Sequence, residues 1–193
     1  MKLTMQPYKN DDDYWRIREF LRRVMLRNGR REFSWHVARL DYWWWFGNPD
    51  LEKINLEENI FIWKTDSDQI AAVLNPEIKE QAFLQVHPDF NSPELVEEMV
   101  QTAEENLMTI VKDGRRKCWV YVDSHASMHQ EVLARRDFKR VERPEVSEFQ
   151  HRRSLDDPLP PFTGYPGLYH PSPGGWPGIP GALLRFRAWL SRG

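Results

Sequence analysis

The chain is predicted to fold as an α/β domain (an α+β mixed sheet) over residues 1–155. Three observations predict it. Short apolar runs end in turn chemistry, apolar residues recur at helical spacing between them, and residues 82–122 read as strand, helix, strand. A strand joined to the next through a helix implies parallel neighbours, and ligands favour the carboxyl ends of such strands. Residues 156–193 are predicted to lie outside as a Pro/Gly-rich linker and irregular tail.

Residues 3–8 form a first short strand. Asp11–Asp13 supply acidic N-cap and first-turn residues, and Tyr14, Ile17, Phe20, Leu21, Val24 and Met25 carry a helix to the stop at Asn28-Gly29. Ser34 is expected to cap a second helix through Trp35, Val37, Ala38, Leu40 and Trp43–Phe46, ending at Gly47-Asn48-Pro49. Ile60–Trp63, the turn Thr65–Asp68 and the return from Ile70 to Leu74 make a hairpin. Ala82–Val86 is a fourth strand, stopped by His87-Pro88. Ser92-Pro93-Glu94 then opens a long helix, with Ser as cap, Pro at the first position and Glu in the first turn. Leu95, Met99, Thr102, Ala103, Leu107, Ile110 and Val111 are assigned to its inner face. Cys118–Val122 is a fifth strand, residues 125–136 a short helix, and a last hairpin runs from Phe138 to about residue 155. The expected order is β-α-α-β-β-β-α-β-α-β-β.

All 29 acidic residues fall at or before Asp157, beside 24 of the 27 Lys and Arg, so the domain is mildly acidic. A phosphate-backbone binder needs a clustered basic face, so nucleic acid is not an expected partner. Cys118 is the only cysteine, which excludes an intrachain disulfide and argues against a Cys-based metal site. Within Cys118–Val122 it reads as a buried, inert thiol. No metal is expected. The first residues lack an apolar leader core, and no apolar run approaches the roughly 20 residues of a membrane span, so a cytoplasmic, non-membrane protein is expected.

The element order, Val86-His87-Pro88 at the end of strand four, and Leu133 and Phe138 spaced as Leu-x-x-x-x-Phe together resemble the GNAT superfamily of acyl-CoA N-acyltransferases. The resemblance covers nearly all of residues 1–155. It implies acetyl transfer from acetyl-CoA to a small amine, with acetyl-CoA as the co-substrate. The family holds the CoA pyrophosphate on backbone amides in the pattern Val-x-Pro-x-x-Arg-Gly-x-Gly-x-Gly. Here Asn91 stands for the Arg, Ser92, Glu94 and Val96 for the three glycines, and Pro93 lacks an amide N–H. The tyrosine that protonates the leaving thiolate in the family corresponds to Leu133, which donates no proton. Parting of strands four and five would leave a backbone N–H near Leu84–Val86 to polarise a thioester carbonyl.

The resemblance thus marks Leu84, Val86, Asn91 and Ser92 as cofactor-binding candidates. Tyr121, Asp123 and His87 are catalytic candidates, with His125 beside them. Each has a favoured structural reading too: a half-buried strand tyrosine, a helix-capping aspartate and exposed turn histidines. Trp35, His36 and Tyr42 fall in the family's acceptor-side wall and are substrate-binding candidates. For the Trp-rich run the favoured reading is structural. Three successive Trp on a helix point over roughly 200–300°, so one or two enter the core and the rest an interface with another domain or subunit. Two functions stay open, a GNAT-type N-acetyltransferase and a catalytically silent GNAT-fold scaffold or binding module. The latter would be the remnant of a tandem protein such as the mycothiol synthase relatives. The partners implied are a small amine, and a homodimer mate or a missing second GNAT domain.

From Pro158 to Gly181 there are eight Pro and six Gly, a composition that cannot continue the fold. The apolar, basic run from Leu183 to Leu190 is too short for a convincing membrane-surface helix. With no acid after Asp157, an out-of-frame reading beyond the linker is the expectation for this tail.

Overall fold

The computed structural model describes residues 2–29, 33–110, 114 and 116–141. The expected last hairpin, apart from its first residues, and the linker and tail lie outside the described residues. So does Val111. The described residues belong to one compact unit, residues 1–142.

The chain opens with strand β1 (Leu3–Pro7) and helix α1 (Asp11–Arg27), followed by α2 (Val37–Tyr42), a π-helical stretch (Trp43–Glu52) and the short α3 (Leu56–Asn59). Strands β2 (Phe61–Thr65), β3 (Ile70–Asn75) and β4 (Gln81–Val86) come next, then α4 (Pro93–Asn106). A two-stranded ribbon of β5 (Thr109–Ile110) and β6 (Arg116–Lys117) precedes β7 (Trp119–Tyr121) and α5 (Ser127–Arg135). The main sheet has the order β1-β2-β3-β4-β7. Its first three pairings are antiparallel and β4–β7 is parallel. This is the mixed α/β class expected from the sequence, with α3 and the β5–β6 ribbon added.

Strands β2 and β3 are buried along their whole length, because both faces of the sheet are covered. The pleat sends Ile62, Val73 and Phe83 to one face, where they pack with Tyr14, Ile17, Phe20, Leu21 and Val24 of α1 and with Trp35, Trp43 and Trp44. It sends Trp63, Leu74, Leu84 and Val86 to the other, against Leu95, Val96, Met99 and Ala103 of α4 and Val132 of α5. Trp63 is wholly buried, and its indole N–H donates to Glu98 Oε1 at 2.9 Å, so its polar atom is not stranded. Arg136 fastens α5 to α4 through Glu97 (2.6 Å) and Glu104.

Four expectations are corrected. Asn10, not Asp11–Asp13, caps α1, its side chain accepting from the amides of Asp12 and Asp13. His36, not Ser34, caps α2, with Nδ1 accepting from Ala38 N at 3.1 Å. The chain does not stop at Gly47-Asn48-Pro49 but runs through it as a π-helix. Its wider i→i+5 turn turns Trp43, Trp44, Gly47 and Asn48 inward and leaves Trp45, Phe46 and Leu51 outside. The run ends where Lys53 takes a left-handed backbone (φ 52°) and donates to Asn48 O at 2.7 Å. Finally, α4 ends at Asn106, so Ile110 leaves the inner face for β5 and is exposed.

The side chain of buried Asn48 closes the π-helix by accepting from Ile54 N at 2.7 Å and donating to Ile54 O at 3.1 Å. Asn48→Ala strands two buried backbone groups and is expected to cost about 2–4 kcal/mol, measured as a lowered urea midpoint at unchanged slope.

Candidate functional site

The site implied by the fold lies at the carboxyl end of β4, where its neighbours differ in reach. Toward β3 the ladder continues to Ala72↔Val86, and His87 N donates to Ala71 O at 2.9 Å. Toward β7 the pairing ends at Phe83↔Tyr121. Amides alternate in direction along a strand, so that of Val86 points away from β3, to the edge that β7 has left. This is the backbone donor expected near Leu84–Val86. The Leu84 and Val86 side chains are buried against α4.

The positions aligned with the family's phosphate cradle start α4, and there neither Pro93 nor Leu95 offers an open donor. Pro93 has none. The Glu94 carboxylate is held below the usual carboxylate range by the nearness of its own backbone amide and then of the Ser92 hydroxyl. Leu95 N donates to Ser92 Oγ at 3.3 Å, and Val96 N to Ser92 O at 3.1 Å. Asn91 Oδ1 accepts from His129 Nε2 at 2.8 Å, binding the loop to α5. An anion approaching this helix end meets the charge of Glu94 in its first turn, and Pro93 and Leu95 have no open donor, so the residues present do not fit the pyrophosphate of acetyl-CoA.

The catalytic candidates are dispersed. Tyr121 is 41% exposed, stacks on Phe83 (4.7 Å, 8° between planes), and its hydroxyl accepts from Gln81 Nε2 at 3.1 Å. Asp123 Oδ1 accepts from His125 N at 2.7 Å, organising the turn before α5 without capping the helix itself. His125 is exposed as expected. His87 is not the exposed turn residue expected: it is 7% exposed, and its Nδ1 accepts from Asp89 N at 3.2 Å. Burial, followed by the Arg27 and Arg23 charges, lowers its pKa from the ordinary 6.5 against the opposing pull of Asp89. Leu133 and Phe138 pack on the core beside α4. Burial pushes the Cys118 thiol up to about 12, consistent with an inert cysteine.

Of the acceptor-wall candidates, Trp35 alone is tied to β4. Its backbone N–H donates to Gln85 Oε1 at 2.8 Å, and Gln85 Nε2 donates to Asn75 Oδ1 at 3.2 Å. Arg39 lies 5.1 Å from the centres of the Trp35 and Phe83 rings and pairs with Glu77 at 2.6 Å. These contacts fill the face of β4 where an acceptor wall is expected. His36 is spent as the α2 cap, and Tyr42 points outward, stacked on Phe46. The buried Gln85–Asn75 pair was not anticipated; its one signal was a glutamine inside an otherwise apolar strand. His129 gave no signal that tied it to Asn91. Among the described residues no cluster of His, Cys, Asp or Glu could hold a metal ion, and no helix is long and apolar enough to cross a membrane.

No family model and no curated protein matches the chain. Among solved structures it is similar to a GCN5-related N-acetyltransferase from Sphaerobacter thermophilus, at 14% identity and a TM-score of 0.48. That alignment covers 69% of this chain and 42% of the other, so the chain spans less than half the length of that protein. It is also similar to an aminoglycoside antibiotic 6'-N-acetyltransferase from Acinetobacter baumannii, at 13% identity and a TM-score of 0.45. There the alignment covers 79% of this chain and 100% of the other.

The lowered pKa values of His87 and His129 carry a sign. The unfolded chain binds these protons more readily, so the native state is fully favoured above the ordinary 6.5 and loses stability as pH falls below it. The melting temperature is expected to fall from pH 7 to about pH 5. His87→Asn, which keeps a capping acceptor without titrating there, is expected to flatten part of that slope in a thermal-denaturation series.

Proposed function

We propose that residues 1–142 form a catalytically silent module of the GNAT type, a scaffold or binding unit that does not use acetyl-CoA. One observation carries this reading. The first turn of α4 is a poor cradle for a pyrophosphate, since Pro93 lacks an N–H, Ser92 Oγ holds that of Leu95, and Glu94 puts a negative charge in the turn. The absence of a proton donor at Leu133 and the filled face around Trp35 and Arg39 agree with it. A second reading, acetyl transfer from acetyl-CoA to a small amine, is favoured by the Val86 amide at the parting of β4 and β7. It requires the pyrophosphate to be held somewhere other than α4.

Isothermal calorimetry of the full chain with acetyl-CoA separates them. The silent module gives no binding heat up to about 1 mM ligand, a concentration corresponding to only about 4 kcal/mol of affinity. A micromolar dissociation constant overturns the reading.

A further inference from the structure

Between β4 and α4 the chain makes one tight turn, a single 3-10 winding of Pro88–Phe90, and side chains tether it at three points. At its head His87 Nδ1 accepts from Asp89 N at 3.2 Å, and Phe90 N donates to His87 O at 2.9 Å. At its middle Asp89 Oδ1 pairs with Arg27, the last residue of α1, at 2.9 Å. At its foot Asn91 Oδ1 accepts from His129 Nε2 of α5 at 2.8 Å. The turn follows directly on Val86, whose amide faces the edge that β7 has left.

The two histidine tethers respond differently to a proton. Because His87 Nδ1 is an acceptor, the neutral ring carries its proton on Nε2, and a second proton can go only to Nδ1. That sets N–H against N–H at the head of the turn and removes its cap. Asp89 Oδ2 lies 4.0 Å from Nδ1, beyond hydrogen-bond distance, on a carboxylate that Arg27 already holds. His129 Nε2 donates from the neutral and the charged ring alike, so burial disfavours the charge there without breaking the bond to Asn91. The turn is fixed at its foot and releasable at its head. We propose that His87 is a proton-operated latch, which holds residues 88–91 wound at the end of β4 while neutral and lets that turn swing about Asn91 once protonated.

Among the described residues, the charged groups that face His87 are Asp89 on its own segment and Arg27 and Arg23 of α1. Strand β3 meets it through the Ala71 carbonyl, and the Phe90 ring lies 5.4 Å from its own. Burial first, and then the two arginines, disfavour the charged ring in the wound turn, while Asp89 opposes them. A released His87 titrates near the ordinary 6.5, so the wound turn is fully favoured above that pH and loses ground as pH falls below it. Release parts Phe90 from His87 and loosens the chain that borders the β4–β7 opening. The latch operates whether or not acetyl-CoA binds.

The test is amide hydrogen exchange of the full chain, read residue by residue as protection factors from pH 7.5 to pH 5. The Asp89 and Phe90 amides are expected to start with protection far below that of Val73 and Leu74 in β3 and to lose about ten-fold of it, mostly below pH 6.5. His87→Asn keeps a capping acceptor that does not titrate there, and is expected to leave the protection of the turn nearly flat with pH. Should His87→Asn fail to fold, Arg27→Gln at an exposed position serves instead: with one facing cation gone, the loss of protection is expected to begin at higher pH. Protection of the turn that does not change with pH overturns the proposal. So does protection equal to that of β3 at every pH, the mark of exchange through global unfolding. An acid response in His87→Asn like that of the wild type, or one that Arg27→Gln leaves unmoved, overturns it as well.

Discussion

The constraint on which the rest depends is the way α4 begins. Ser92 Oγ accepts from Leu95 N, Pro93 brings no N–H, and Glu94 places a carboxylate in the first turn. A helix N-terminus carries partial positive charge and unsatisfied amides, and these can stabilise the helix or hold a foreign anion, but not both at once. Here the chain supplies its own anion. The lowered Glu94 pKa agrees with that placement, because a nearby amide and hydroxyl favour the charged carboxylate.

The surrounding fold fixes this arrangement in place. Leu95, Val96 and Met99 are buried against Leu84 and Val86, so the helix cannot shift along the strand without opening the core. From the other side, Arg136 reaches Glu97 and Glu104 on α4, and His129 holds Asn91 ahead of the cap. The β4–β7 parting persists beside it because β7 is only three residues long and pairs with β4 over three rungs. The domain thus keeps the backbone opening at Val86 while Glu94 places a negative charge at the neighbouring helix end.

Much of the fold was legible because its elements follow the two simple periods. The apolar spacing in α1 and the short apolar runs of β2, β3 and β4 specify their type and faces directly. The Ser92-Pro93-Glu94 start of α4 was legible as chemistry, since Ser92 satisfies a first-turn amide, Pro93 removes one and Glu94 adds a charge that favours the helix. The π-helix was not, because its wider turn fits neither period and Gly47-Asn48-Pro49 imitates a stop. His36 as a cap and His87 as a buried residue depended on tertiary packing: Trp35 is held by Gln85 fifty residues away, and His87 lies against Phe90 and near the end of α1. The same limit hid the link between Asn91 and His129.

The most direct test of the central claim follows the amide resonances of Glu94, Leu95, Val96 and Val86 by nuclear magnetic resonance while inorganic pyrophosphate and then acetyl-CoA are added. With the Leu95 and Val96 amides bound by Ser92 and a carboxylate in the first turn, the shifts of Glu94, Leu95 and Val96 stay in place at millimolar ligand. Saturable movement of those three signals together would contradict the account, because it would mean that the anion binds at the head of α4 despite Pro93 and the Glu94 charge.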